Sequence, residues 1–219
     1  MRSLGGLHNT TANEMFLDEI AALSGVDPVA FRRSLLPDPR ARDVLDLAAE
    51  RAGWGSVVPV PDGWRAGRGM AFAQYETAHA YVALVAEVAV QPETGVIRVT
   101  RVVVAHDCGR IINPNGVKNQ VEGNVIQGIS RSLKERVTWD AHGVTSLTWP
   151  DYPILEFAEV PEIEIALIDR PDQPPLGAGE PAICPVTAAI GNAVFDAVGI
   201  RLRDVPFTPD RVRAAIGGD

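Results

Sequence analysis

The chain has 219 residues, 46% hydrophobic and 22% charged, enough to bury one substantial domain or two small ones on a shared core. Its formal net charge of −8, with Lys and Arg dispersed, argues against nucleic acid as a partner, and the acidity reads as solubility. The most apolar stretch, Ile183 to Ile200, is broken by Pro185, Thr187, Asn192 and Asp196, so a buried helix is expected and no membrane insertion.

In chain order, Asn9 and Thr10 are read as caps of a helix through Glu14 to Leu23, with Phe16, Ile20 and Leu23 at helical spacing and Gly25 ending it. Asp27-Pro28 starts a second helix, and a third is expected from Ala41 to Ala52, stopped by Gly53. Residues 1–56 thus form a helical N-terminal segment, and 57–219 a C-terminal α+β domain. Val57 to Gly69, rich in Pro and Gly, reads as a connector. Tyr81–Val90 and Val96–Ala105 read as strands of a hairpin whose turn needs the positive φ of Gly95. A helix follows Asn113-Pro114, with Val117, Val121, Val125, Ile129 and Leu133 in period. Short strands at Arg136–Thr138 and Val144–Thr148 flank a turn at Asp140-Ala141-His142-Gly143, and Ile163 to Ile168 is a further strand. A buried helix at Pro185–Val198 ends at Gly199, and Thr208-Pro209 caps a last helix through Ile216. The fold class expected is α+β, mixed sheets with packed helices.

The opening Met1 to Gly6 has no apolar core of the kind an export signal needs, which points to a cytoplasmic chain, or a periplasmic one if a partner carries the signal. The two cysteines, Cys108 and Cys184, lie outside any CxxC pattern. That speaks against zinc or iron–sulfur ligation within the chain, and an intracellular setting disfavours a disulfide.

Two segments carry chemistry. In Gly177-Ala178-Gly179-Glu180-Pro181 a carboxylate sits between a glycine that permits close backbone approach and a proline that fixes φ. Taken alone, such a Glu is more often simply solvated. In His106-Asp107-Cys108-Gly109 through Asn113-Pro114, and on to Gln120-Val121-Glu122-Gly123, a strand ends and a helix begins among amide side chains. Amides donate and accept at once, which suits a polar heterocycle, and a helix start suits phosphate. The plainer alternative is a capped helix with glycines at close crossings.

The DCG-x-x-x-NP run, the Q-x-E-G-x-x-x-Q-G helix start and the later G-x-GEP turn, in this order, resemble the xanthine oxidase and aldehyde oxidoreductase family of molybdenum hydroxylases. The opening Arg2-Ser3-Leu4-Gly5-Gly6, with Asp27-Pro28, resembles the branch typified by the beta subunits of isoquinoline 1-oxidoreductases. The resemblance implies a molybdenum–molybdopterin cofactor, in the cytosine dinucleotide form by analogy with that branch, and 2Fe-2S clusters on a partner chain. It implies Glu180 as the base toward the molybdenum-bound hydroxyl, in a hydroxylase that oxidises an N-heterocycle or aldehyde with water as oxygen source. Gln120, Asn113, Gly109, Arg2 and Gly179 fall at cofactor-binding positions, Leu4 and Thr77 at substrate positions, and no residue of the chain ligates the metal. His79 and His106 are expected to be structural or surface residues.

The family's GGxFGG loop and M-G-Q-G segment do not occur in this sequence. The expected partners are therefore the remaining molybdopterin-binding polypeptide, an iron–sulfur subunit and a small-molecule substrate. The isolated chain is expected to be inactive, whether it is one of several chains sharing the site or a truncated piece. The competing readings are a non-catalytic assembly or scaffold domain of the same fold, and a metal-free hydrolase, for which no G-x-S-x-G nucleophile motif is present.

Overall fold

A computed structural model describes residues 2–218, and the side chain of Thr77 is not among what it describes. Three helices come first: α1 (Gly6–Leu23), α2 (Pro28–Leu35) and α3 (Pro39–Ala52). Asn9 and Thr10 lie inside α1 and do not cap it, because the helix begins a turn earlier at Gly6. Asp27 does cap α2, its side chain accepting from the Ala30 amide, with Pro28 at the first helical position. Asp38 does the same for α3, which ends in left-handed Gly53.

Strands β1 (Arg65–Gln74), β2 (Tyr81–Gln91) and β3 (Val96–Asp107) form an antiparallel meander. After helix α4 (Pro114–Leu133) and a short ribbon, β4 (Trp139–Asp140) with β5 (Gly143–Val144), strand β6 (Glu162–Leu167) pairs parallel with β3. The sheet order is β1-β2-β3-β6. Helices α5 (Val186–Val198) and α6 (Pro209–Gly217) follow, and Thr208 flanks α6 without making the side-chain cap bond its position suggests.

The first ten residues of β2, Tyr81–Val90, are all buried, because helices cover both faces of the sheet. Val82, Leu84 and Ala86 join Val121, Val125 and Ile129 of α4, Ala189 and Ile190 of α5, and Met15 of α1 in the larger core. Ala83 and Val85 face the other way, onto Val44, Leu45 and Ala48 of α3. Helices α1 and α3 of the 1–56 segment therefore pack on opposite faces of the sheet. The stretch Pro181–Val198 is long and apolar enough to cross a membrane, but 78% of it is buried in this core.

Two expectations require correction. The supposed connector to Gly69 includes the first half of β1, since Gly67 and Gly69 are strand residues. A Cβ on Gly67 would lie 2.0 Å from the Ala193 carbonyl oxygen, and one on Gly69 2.2 Å from the Ala193 amide nitrogen, so α5 rests on a groove only glycine can form. The second hairpin is shorter and shifted from the expected strands. Trp139 in β4 and Leu147, Trp149 and Phe157 beyond β5 are exposed, and one further backbone bond, from the Thr145 amide to the Thr138 carbonyl, closes the ribbon.

Candidate functional site

Strands β3 and β6 run parallel, with His106 opposite Leu167 at their carboxyl ends. The two chemistry-bearing segments both leave from this end, the side of an open α/β sheet where ligands collect. From β3 the chain turns through Cys108 and Gly109 into α4. From β6 it runs through Asp169 and Pro174 to the turn at Gly179-Glu180-Pro181.

Asp107 anchors the first turn. Its carboxylate is fully buried and accepts from Arg40 Nη2 (2.6 Å) and Nε (3.0 Å), Arg170 Nε (3.1 Å) and the Gly109 amide (2.9 Å). Burial pushes its pKa up, but the bonds from Arg40, Gly109 and Arg170 outweigh this and hold it below its ordinary value. Gly109 has a φ of +74°, and a Cβ there would lie 2.1 Å from the Pro174 carbonyl oxygen. Its amide is taken by Asp107 and its carbonyl by Arg170, so Gly109 shapes the loop and has no free donor for a cofactor.

Asn113 caps α4, its Oδ1 accepting from the Gly116 amide at 3.0 Å. Further along the helix, Gln120 is exposed, and its Oε1 accepts from Arg2 Nη2 at 2.6 Å. Arg2 also donates from Nε to the Gly179 carbonyl at 2.7 Å and from Nη1 to Gln127 Oε1 at 3.2 Å. One guanidinium therefore ties the start of the chain, α4 and the turn of Glu180 together. Asn124, buried in α4, donates to the carbonyls of both Gln120 (2.7 Å) and Gly179 (3.2 Å).

Glu180 lies at the start of a 3-10 turn, Pro181–Ile183, that leads into α5. Its Oε1 accepts from the Ser3 amide at 2.8 Å and its Oε2 from the Tyr75 hydroxyl at 2.6 Å. The Tyr75 bond and then the Ser3 bond hold its pKa below the ordinary value, and the carboxylate in turn pushes the Tyr75 phenol up. Leu4 follows on a positive-φ backbone with its side chain 65% exposed. Thr77 belongs to the turn that begins at Tyr75, but its side chain lies outside the described residues. His79 is an exposed neighbour of Glu76, whereas His106 is fully buried, its pKa lowered by burial to about 4, with no partner for either ring nitrogen. Cys108 and Cys184 are free and buried, and burial pushes the Cys184 thiol up to about 12.

An open groove runs beside Gly179, bounded by Asn113, Gly116 and Gln120 of α4 and by Leu176 and Ala178 of the facing loop. Exposed amide side chains, a capped helix start and glycine at the closest approach form a donor–acceptor set that fits a phosphate-bearing, amide-rich heterocycle.

A family model, the molybdopterin cofactor-binding domain, matches residues 44–161. The chain is 45% identical over its whole length to a subunit of nicotinate dehydrogenase from Pseudomonas putida, and 35% identical over 95% of its length to the beta subunit of isoquinoline 1-oxidoreductase from Brevundimonas diminuta. The chain belongs to the molybdopterin-binding family of molybdenum hydroxylases. It spans only 19% and 26% of the length of those two relatives. The aldehyde oxidoreductase of Desulfovibrio gigas superposes with a TM-score of 0.82 over 99% of this chain and 41% of that one; at 16% identity this speaks to the fold alone. The mixed α/β architecture is thus that of the molybdenum-binding subunits in the xanthine oxidase family, as the ordered motifs imply.

The structure brings Arg2, Gln120, Gly179 and Glu180 together, with Asn113 at the groove edge. Tyr75, the Ser3 amide and Asn124 were not singled out by the sequence, and Gln127 entered only as the second glutamine of the helix-start motif. Tyr75 has no spacing relation to Glu180, 105 residues away, and a backbone amide has no side-chain signature. Asn124 and Gln127, by contrast, lie one and two turns after Gln120, and helical periodicity alone would have placed them beside it.

Proposed function

We propose that this chain is the C-terminal part of the molybdenum-binding unit of a hydroxylase that oxidises an electron-poor N-heterocycle or aldehyde with oxygen from water. Glu180 is the general base. The observation that carries this is the Glu180 carboxylate, ionised and held by two donors, on the residue that follows Gly179 at the edge of an amide-lined groove. The names of the relatives, nicotinate dehydrogenase and isoquinoline 1-oxidoreductase, favour the N-heterocycle.

Gln120, Asn113 and Gly179 would hold the molybdenum–molybdopterin cofactor, and Arg2 would lock Gln120 in place. When bound, the cofactor supplies the metal that activates water and accepts the substrate's electrons. Glu180 accepts the proton of the water-derived nucleophile on a free lone pair of its carboxylate. Leu4, exposed on the same loop as Ser3, lines the substrate approach. We assign the cofactor the cytosine dinucleotide form, and the 2Fe-2S clusters to a partner chain. The assembled enzyme would consist of this chain, the remaining molybdenum-binding polypeptide and that iron–sulfur partner. Oxidation of an N-heterocycle by the assembled enzyme in 18O-labelled water tests the reading. It requires label in the product and molybdenum in the complex, and a loaded complex inert toward both substrate classes would favour the scaffold instead.

A further inference from the structure

The two donors on Glu180 come from unusual backbone. Among the described residues, the non-glycine positions of positive φ are Ser3 (68°), Leu4 (47°) and Glu76 (49°). Ser3 and Leu4 form the turn whose amide reaches Oε1, and Glu76 directly follows Tyr75, whose hydroxyl reaches Oε2. Such conformations cost free energy and persist only where the surroundings hold them, commonly at functional sites. Here all the described cases fall on the two segments that grip one carboxylate.

Tyr75 has two separable parts. Its ring packs against Leu7, Ala73, Ile183 and Cys184, a contact that phenylalanine would reproduce. Its hydroxyl reaches past that wall to the carboxylate at 2.6 Å. With the phenol pKa raised and that of Glu180 lowered, the tyrosine keeps its proton at neutral pH and the glutamate lacks one.

We propose that Tyr75 is a positioning residue for Glu180, its hydroxyl and the Ser3 amide together fixing the carboxylate as a proton acceptor in one orientation. This rests on the reading of Glu180 as the base. The proton moves from the water-derived nucleophile to an unoccupied lone pair of Glu180, while Tyr75 retains its own and, by donating, keeps Glu180 ionised and oriented until that transfer. No contact of Tyr75 with the cofactor is needed.

The test is Tyr75→Phe, which keeps the ring and deletes the donor. In the full chain, carbodiimide labels the protonated form of Glu180, and peptide mass spectrometry reads its extent against pH. The pH of half-labelling is expected to rise by about one unit, because a donor to the ionised form is lost. In the assembled enzyme, turnover is expected to fall about tenfold, the acid limb of the pH profile moving up in parallel. Unchanged labelling and an unchanged profile, with Glu180→Gln inactive, would reduce Tyr75 to a wall residue and overturn the proposal. An active Glu180→Gln enzyme would instead remove the base reading, and the labelling curve would still report whether Tyr75 holds the carboxylate.

Discussion

Arg2 Nη2 donates to Gln120 Oε1 at 2.6 Å while its Nε donates to the carbonyl of Gly179, so one side chain sets the width between α4 and the Glu180 turn. Nη1 adds Gln127, and no smaller cation has the fork to serve all three acceptors. Arg2→Ala is expected to lower stability by about 1–2 kcal/mol, since the bonds are charge-assisted but partly wetted. Cofactor retention should fall more steeply, because Gln120 loses the contact that orients it. Molybdenum per assembled complex after gel filtration, beside a thermal melt, separates the two effects. Arg2→Lys should keep the charge but fail to restore loading; full loading in the lysine variant would show that charge alone suffices.

Gly69 faces α5 so closely that any side chain meets backbone, and backbone cannot rotate away. Gly69→Val is expected to cost about 3 kcal/mol or more, above the usual range for overpacking a core with flexible neighbours. Urea denaturation should show the midpoint falling sharply. A variant of near-native stability would mean that α5 can lift off the sheet.

That glycine also explains what was legible in the sequence. The β2–β3 hairpin, α2, α4, α5 and the end of α3 could be read because their patterns are local: apolar runs, the Asp27-Pro28 and Asn113-Pro114 starts, and Gly53, Gly95 and Gly199 at positive φ. Strand β1 could not, because the small residues that let α5 approach are the ones that mark a connector. The site divides in the same way. Glu180 and Gln120 became candidates through the ordered family resemblance, since a Glu in a Gly/Pro turn taken alone reads as solvated. The grip of Tyr75 on Glu180 depends on bringing the end of β1 to a turn 105 residues later, which no period encodes.

Asp107 gives a pH dependence whose sign can be worked out. Its folded pKa is depressed, so its contribution to stability is present above its unfolded value of about 3.9 and is lost as pH falls through the lower folded value. Asp107→Asn leaves Arg40 and Arg170 without their shared carboxylate. Because both arginines are partly solvated, the cost at pH 7 should be about 2 kcal/mol, less than that of stranding fully buried charges. Between about pH 7 and 5 the gap to wild type should hold steady, and it should close as the solution is acidified below about 3.9. A gap that widened on acidification would contradict the assignment of Asp107 as an ionised anchor.

Glu180→Gln isolates the chemistry, because glutamine keeps the size, and its carbonyl oxygen can still accept from the Ser3 amide or the Tyr75 hydroxyl. What it cannot do is take a proton at neutral pH. General-base catalysis contributes about a hundredfold to ten-thousandfold, so turnover of the assembled enzyme should fall within that range or beyond. Molybdenum content and assembly should stay close to wild type, since Arg2 and Asn124 hold the turn through the Gly179 carbonyl and not through the carboxylate. Stopped-flow reduction by substrate separates the roles: loss of the base slows reduction of the metal in a fully loaded enzyme, whereas a structural role lowers loading and leaves the loaded fraction fast. The Glu180→Asp variant sharpens the comparison. It restores a carboxylate but draws it back by one methylene, about 1.5 Å, away from donors now at 2.6–2.8 Å. If ionisation alone mattered, it would recover most of the rate. If the base must also be held by Tyr75 and Ser3, it should recover little, and near-wild-type turnover in the Glu180→Gln variant would end the assignment.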